Sequence, residues 1–512
     1  MTTSITTTAA LLPERQKPVL PHDGLVAGFL RQAESRPDAV ALVWHDTRID
    51  YGDLYDLVCV ERDRIDGLGL APGVPVGLLA DKSPEAVALA LACLLAGRPF
   101  LLPSPALADG ALATLFAQAG CARVLVPQGQ PRRELPAPAA LAAVEPAPAD
   151  TALMLTTSGS TGLPKVVPLS GGAVDRFIAW AAPEFDIGPD TAVLNVAPLN
   201  FDLCLLDVWT TLAAGGRVVL VDPAHAANGR HLVELLSTQD VRVVQAVPMF
   251  FGLILQTVAD GDTAFPSVEH LMFTGDAMPA HVLAELPRLF PRARLRNIYG
   301  CTETNDSFIA DVAPTDNPVP IGHPLPGVLA LLVDDGAIVD GPGTGELFVH
   351  TPFQTAGYLD RSRHADKFGA HPTGADDLRW FRTGDLVRRT PGGSLLLLGR
   401  ADFQVKVRGV AVNTAEVERA LLAHPDVLEA AVLAVPDPVA GRLLAAAVHR
   451  APGSGLNSLT LRAHCARELP RNAVPTTLRI SDVPLPKTAT GKVDRKAVDT
   501  LTEQSTVEGR IA

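Results

Sequence analysis

Cysteine is scarce in this 512-residue chain, and the six present, Cys59, Cys93, Cys121, Cys204, Cys301 and Cys465, are widely spaced, with no CxxC pair. No His or Cys cluster has metal-ligand spacing, so they read as reduced core thiols. Positive charge is outweighed: 43 Lys and Arg against 56 Asp and Glu give a formal net charge of −13. That balance argues against nucleic acid or an anionic membrane as partner, and any anionic ligand has to be held by local groups. Long apolar runs are missing as well. The longest, 86–96, has 11 residues, whereas about 20 are needed to span a bilayer. The opening MTTSITTTAALLPERQKP lacks the basic start and apolar run of a secretory signal. It reads as a disordered leader over 1–20, and the protein is expected in the cytoplasm. At about 150 residues per domain the length allows roughly three domains or subdomains.

What is present alternates between helix and strand. Ser83-Pro84-Glu85 supplies an N-cap, a first helical residue and a first-turn acid, and Gly97 closes the segment, which predicts a buried helix over 83–97. Residues 99–103 read as extended, 217–221 as strand, 231–236 as helix and 241–244 as strand. This predicts an α/β fold of layered helices and parallel sheet. The Pro- and Ala-rich stretch GQPRRELPAPAALAAVEPAPAD over 129–150 reads as a surface connection. A change of character at Gly399-Arg400-Ala401-Asp402, after a strand at 394–398, predicts a hinge. The expected organisation is a large domain over 21–400, a small α+β domain over 401–500 and a frayed polar tail over 501–512.

One stretch is rich in chemistry. A short apolar strand, Leu153-Met154-Leu155, runs into Thr156-Thr157-Ser158-Gly159-Ser160-Thr161-Gly162-Leu163-Pro164-Lys165. Glycines permit turns whose successive backbone N–H groups point at one anion, and the hydroxyls and lysine add donors and charge. A polyphosphate fits that arrangement. A Walker loop needs GxxxxGK followed by Ser or Thr, which the Gly162 to Lys165 spacing breaks. By composition alone a plain Ser/Gly surface turn is an equal reading.

The rest of the chain decides between them. TTSGSTGLPK resembles the phosphate loop of the adenylate-forming superfamily, and further segments follow in that family's order. Asn297-Ile298-Tyr299-Gly300-Cys301-Thr302-Glu303 resembles NxYGxTE, Phe381-Arg382-Thr383-Gly384-Asp385-Leu386 resembles YRTGDL, and the run from Gly399 through Asp402, Lys406 and Arg408 to Gly409 resembles GRxDxQVKxRG. Pro486-Lys487-Thr488-Ala489-Thr490-Gly491-Lys492-Val493-Asp494-Arg495 is similar to PxTxxGKxDR, and weaker matches at 48–54 and 95–97 extend the resemblance over nearly the whole chain. It is nearest to the amino-acid adenylation domains of nonribosomal peptide synthesis.

The resemblance implies ATP and Mg²⁺ as cofactors and assigns roles. Lys492 matches the catalytic lysine that bridges substrate carboxylate and α-phosphate; a charge there answers the meeting of two anions. Glu303 matches the magnesium-binding glutamate, a hard-cation ligand, and Thr302 beside it would touch the α-phosphate. Thr157, Ser158, Gly159, Ser160, Thr161, Gly162 and Lys165 would cradle phosphates. Asp385 matches the aspartate that grips both ribose hydroxyls, Arg400 a nucleotide-contacting arginine, Tyr299 an adenine-stacking ring, Gly300 its neighbour and Asn297 a reader of the adenine edge. The plainer readings are a solvated tail lysine for Lys492, a surface ion pair with Arg382 for Asp385, and core roles for Tyr299 and Asn297. Asp402 matches the family's hinge, between adenylate formation and thiol attack; the alternative is a turn aspartate.

Asn200-Phe201-Asp202-Leu203 resembles the segment that sets an aspartate against a substrate α-amino group. Asp202 therefore favours an amino acid over the acids used by acyl- and aryl-CoA ligases, though it also reads as a helix-starting residue. Leu203, Leu206, Ala246, Met272, Thr274, Ile298, Asp306 and Ser307 align with the other pocket positions, with Ala246 the loosest fit. The apolar members argue for a small substrate, while Thr274, Asp306 and Ser307 are suited to a polar group. Alanine or serine leads, with a short β-amino or diamino acid behind; Asp306 either meets a substrate donor or caps a turn.

The chain departs from the family pattern at Val412-Asn413-Thr414-Ala415-Glu416, where Asn413 still suits a helix cap, at Val166 after the phosphate loop, and at Cys301. No carrier-like segment follows Lys492. The expectation is a stand-alone ligase that loads the phosphopantetheine thiol of a separate acyl or peptidyl carrier protein in natural-product assembly. The alternatives are an acyl- or aryl-CoA ligase and a catalytically inactive binding homologue.

Overall fold

The computed structural model describes residues 24–131, 133–137, 146–157, 164–258, 263–361, 367–400, 404–407, 410–437, 441–469, 473–488, 493–495 and 497–498. Among these residues the largest sheet has nine strands, in the order His323–Pro324, Asn305–Asp311, Arg294–Cys301, His270–Thr274, Val243–Ala246, Ala192–Asn195, Arg217–Leu220, Val40–Trp44 and Thr47–Asp50. The six from Arg294–Cys301 to Val40–Trp44 run parallel, and the flanking strands join antiparallel. Central strands such as Arg217–Leu220 and Val243–Ala246 read as near-continuous apolar runs because both faces are covered. Alternate residues serve the two sides. Val193, Val218, Val243, Met272 and Ile298 join one core; Leu194, Val219, Val244, Leu271 and Phe273 join the other.

A five-stranded sheet packs on the first core, in the order Arg123–Leu125, Val76–Leu78, Phe100–Leu101, Thr151–Thr157 and Lys165–Ser170. Its helix Pro84–Leu95 begins as the sequence indicates: Ser83 Oγ accepts the Ala86 N–H at 3.2 Å, Pro84 opens the first turn, and Gly97 follows the helix at φ 61°. Nine of its twelve residues are buried, so it is a fixed mount rather than a surface helix. A third, antiparallel sheet contains the Gly343–His350, Trp380–Arg389 and Leu395–Arg400 strands.

The C-terminal segment carries its own core. Val407, Val412, Val417, Leu421, Val432, Leu444 and Leu461 cluster between the three strands Val427–Asp437, Gly441–Arg450 and Thr477–Ser481 and the helices Thr414–Leu422 and Ser458–Glu468. Asn413 caps the first of these helices, its Oδ1 accepting the Ala415 N–H at 2.9 Å. The structure is thus a large N-terminal α/β domain with a small C-terminal one. The six cysteines are free thiols. Among the described residues no helix is long and apolar enough to cross a membrane.

Tyr51 opens the helix Tyr51–Asp66, which Asp50 caps. Fully buried, its hydroxyl faces the carbonyls of Gly216 at 2.8 Å and Leu212 at 3.1 Å, and so ties this helix to the turn that starts the Arg217–Leu220 strand. Burial raises the phenol well above its ordinary range, which keeps it a donor. Tyr51→Phe strands those carbonyls without a donor and is expected to cost about 1–2 kcal/mol. A thermal or urea midpoint equal to wild type would contradict the tie.

Candidate active site

The site is built around a hairpin at the edge of the large sheet. Arg294–Cys301 pairs antiparallel with Asn305–Asp311: Tyr299 lies opposite Phe308, Gly300 opposite Asp306 and Cys301 opposite Asn305. Ser307 is therefore the extra residue of a bulge. Gly300 is required by space, since a Cβ there would come within 2.2 Å of the Asn305 carbonyl. Thr302, Glu303 and Thr304 form the tip. The tip is tethered from outside by Asn305 Nδ2 donating to the Phe353 carbonyl at 2.7 Å and by Thr351 Oγ1 donating to the Thr304 carbonyl at 2.8 Å.

Glu303 is buried, 8% exposed, and its Oε1 accepts the Tyr358 hydroxyl at 2.5 Å. Lys165 Nζ lies 3.4 Å from that hydroxyl and 4.5 Å from the ring centroid, a cation–π approach. Lys165 itself pairs with Thr157 across the strands that flank the phosphate loop. One tyrosine thus joins the loop lysine to the hairpin carboxylate. Among the described residues no group of three or more His, Cys, Asp or Glu side chains converges to hold a metal ion.

Asp385 sits where the third sheet meets the hairpin. Its Oδ1 accepts from Arg400 Nη1 at 3.1 Å, directly across the strand pair, and its Oδ2 accepts the Tyr299 hydroxyl. Burial and the Asp385 charge raise the Tyr299 phenol well above its ordinary range. Arg382, the alternative partner in the surface-pair reading, instead makes a two-pronged bridge to Glu346 at 2.7 Å. Asn297 donates its amide to the Pro320 carbonyl at 2.8 Å.

The aligned pocket positions fall along the carboxyl ends of the parallel strands, the usual ligand edge of such a sheet. Met272 and Ile298 share the first core with Leu206, Thr274 ends the His270–Thr274 strand, and Asp202 and Leu203 are half-buried in the turn after Ala192–Asn195. Burial, reinforced by the charge of Asp202, pushes the half-buried Asp306 up to about 8, so the two acids share one environment. Two aligned positions depart from the expected lining. Ala246 belongs to the core on the other face of the sheet, because it is out of phase with Met272 and Ile298. Ser307, fully buried in the bulge, donates to the Asn305 carbonyl or Thr304 Oγ1, both at 3.1 Å, rather than keeping its hydroxyl for a substrate. Ser158, Gly159, Ser160, Thr161, Gly162, Asp402 and Lys492 lie outside the described residues.

The sequence reading missed Tyr358 and a buried group behind Asp202 made of Lys82, Asn195, Cys204 and Asp207. The one available signal was a lysine, Lys82, immediately before the N-cap of a helix apolar from Ala86 to Leu95, where a charge is either solvated or fully partnered.

Residues 29–359 match the AMP-binding enzyme family and residues 416–492 the AMP-binding enzyme C-terminal domain. The chain is 36% identical over 359 residues to an L-proline--[L-prolyl-carrier protein] ligase of Streptomyces coelicolor, a match covering 68% of this chain and 65% of that protein. It is 32% identical over 511 residues to the phenyloxazoline synthase MbtB of Mycobacterium sp. (strain MCS), covering 95% of this chain and 42% of the synthase. Among solved structures it is similar to holo-AB3403, a four-domain nonribosomal peptide synthetase bound to AMP and glycine, with 25% identity, a TM-score of 0.79, and coverage of 94% of this chain and 36% of that one. The chain thus spans less than two thirds of the length of each of these three proteins. With a family match that takes in both the hairpin and the C-terminal segment, this chain belongs to the AMP-binding family of adenylate-forming enzymes.

Proposed function

We propose that the protein activates a small amino acid as its aminoacyl-adenylate, using ATP and Mg²⁺, and then passes the aminoacyl group to the phosphopantetheine thiol of a separate carrier protein. The observation that carries this reading is the single hairpin that unites Ile298 of the pocket, Tyr299 beside Asp385, Glu303 and Asp306. An acid and a nucleotide held on one rigid element meet without further rearrangement. The named activities of the carrier-protein ligase and the peptide synthetase support both halves of the reaction.

In the first step a carboxylate oxygen of the substrate attacks the α-phosphorus and the bond to the β-phosphate bridging oxygen breaks, releasing pyrophosphate. In the second the carrier thiol, losing its proton, attacks the adenylate carbonyl and AMP leaves. Asp202 would pair with the ammonium group, Asp385 with the ribose hydroxyls, Arg400 and Tyr299 with the nucleotide, and Lys492 with the charge that develops between the two anions. The cofactor fits the residues present: one buried carboxylate, Glu303, together with phosphate oxygens suits a cation that keeps few protein ligands. Bound there, magnesium supplies charge neutralisation.

The test is pyrophosphate release with Mg-ATP and hydroxylamine trapping across the proteinogenic amino acids, L-proline included, plus β-alanine, 3-aminobutyrate and 2,3-diaminopropionate. A response to one or a few small amino acids is expected, reduced by on the order of 10²–10³-fold in Lys492→Ala. Asp202→Ala should lower kcat/KM for the amino acid by about 10²-fold while leaving the KM for ATP near wild type. Activity on fatty or aryl acids alone would move the protein to the CoA-ligase reading.

Asp306 is the residue suited to a donor on the substrate side chain. With a folded-state value of about 8 against an ordinary 3.8, the folded protein holds one more proton than the unfolded chain between those limits. Stability contributed by the protonated form is therefore lost as pH rises through that window. Asp306→Asn removes the slope, so the variant should gain on wild type steadily from about pH 4 to pH 8 in thermal midpoint. A constant gap across that range would refute the assignment.

A further inference from the structure

Behind Asp202 lies a buried polar group that none of the assigned roles uses. Lys82 is 5% exposed, and its Nζ lies 3.0 Å from the Asn195 carbonyl, 3.0 Å from Asn195 Oδ1, and 3.1 Å from the carbonyls of both Val196 and Ala197. Asn195 passes the contact on, its Nδ2 donating to Asp207 Oδ2 at 3.2 Å and facing Cys204 Sγ at 3.5 Å. The Cys204 thiol donates to the Pro198 carbonyl at 3.2 Å. Four successive carbonyls, from Asn195 to Pro198, are thereby fixed by side chains. The chain then turns, with the Phe201 N–H on the Pro198 carbonyl at 3.0 Å, the Leu205 N–H on the Asp202 carbonyl at 2.8 Å and the Asp207 N–H on the Leu203 carbonyl at 3.1 Å. The segment held in this way is the one that presents Asp202.

From this geometry we infer that Lys82 is a positioning residue for substrate recognition: it clamps the 195–198 segment to the helix Pro84–Leu95 and, through Asn195 and Asp207, fixes the turn that aims Asp202 at the substrate ammonium. The inference rests on the amino-acid reading of Asp202 given above. Three features support it. The mount is rigid, since Lys82 immediately precedes Ser83, the cap of a helix buried along most of its length. The clamp joins two sheets, because that helix follows the Val76–Leu78 strand of the smaller sheet while Asn195 ends a strand of the larger one. The chemistry is also compatible. Burial draws Lys82 down to about 8 while the nearby Asp207 and Asp222 favour its ammonium form, and burial also raises the Asp207 carboxyl well above its ordinary range. Lys82 is thus a buried donor joined through Asn195 to a buried acid.

A merely structural lysine would affect all substrates alike, whereas a positioning lysine would affect the amino acid selectively. Lys82→Met keeps the stem and removes the donors and charge. Hydrogen exchange should quicken over 195–207 while the 151–170 hairpin stays as in wild type. kcat/KM for the activated amino acid should fall on the order of 10²-fold, as a small misplacement of a binding group produces. The KM for ATP should stay within about twofold, and Lys82→Arg should recover much of the loss. Unchanged exchange over 195–207 would overturn the clamp, and an equal rise in both KM values would overturn the selective role. If Lys82→Met does not fold, Asn195→Ala, which cuts the link to Asp207 and leaves Lys82 in place, should shift the amino-acid KM in the same direction by a smaller factor; no shift there counts against the proposal. Should the wild-type protein activate no amino acid, the functional reading fails, and the exchange experiment alone decides the clamp.

Discussion

Carboxylates held out of water, most of them beyond the carboxyl edge of the parallel sheet and Asp385 on the antiparallel sheet beside it, set the terms for everything else in this site. Moving an ionised carboxylate into a protein interior costs several kcal/mol unless something replaces the lost water. Each acid here meets that cost differently. Glu303 accepts the Tyr358 hydroxyl, Asp385 lies between Arg400 and Tyr299, Asp207 accepts from Asn195 and is raised well above its ordinary range by burial, and Asp306 is pushed up to about 8. A ligand that reaches such a site exchanges one partner for another and does not have to strip a full hydration shell, which is how a preorganised site avoids reorganisation at the moment of reaction.

The sheet explains why these acids stand together. In a doubly covered parallel sheet both faces are spent on core packing, as the alternation of Leu271, Met272 and Phe273 between two cores makes plain. Only the strand ends are free for chemistry. The turn after Asn195, the end of His270–Thr274 and the hairpin beyond Ile298 lie on neighbouring ends of one sheet. The same phase rule removes Ala246 from the pocket lining: it keeps the parity of Val244, not of Met272.

The legible parts of the sequence are those where chemistry and spacing are local. The helix after Ser83 follows from its cap, proline and glycine, and Asn413 was recognisable as a cap despite its departure from the family pattern. The alternation around 217–244 was readable because buried parallel strands leave unbroken apolar runs. The contacts that assemble the site were not legible, because they cross long stretches of chain. Tyr299 meets Asp385 across 86 positions, Glu303 meets Tyr358 across 55, and Lys82 meets Asn195 across 113. Residue type misleads in such cases. A lysine is ordinarily solvated, so the one local signal at Lys82, its place just before a buried helix, does not tell solvation from enclosure by carbonyls. Ser307 misleads in the other direction: a serine in the right alignment column spends its hydroxyl on the bulge that Gly300 makes possible.

The balance of charge gives a physical reason for a two-part architecture on the proposed reading. The described site gathers Asp202, Glu303 and Asp385, with Asp306 pushed up to about 8, near Lys165 and Arg400, in a chain whose formal net charge is −13. Two anions, a carboxylate and a triphosphate, have to be drawn into that setting. The acids are suited to hydroxyls, an ammonium group and a cation, none of which neutralises phosphate directly. On the proposed reading, further positive charge would come with the metal and from Lys492, which the C-terminal family match takes in. Complementarity to the transition state would then be complete only with Lys492 in place. On that reading, a catalyst that makes an adenylate and then lets a thiol take the acyl group and displace AMP would gain from keeping this cation on a separate piece.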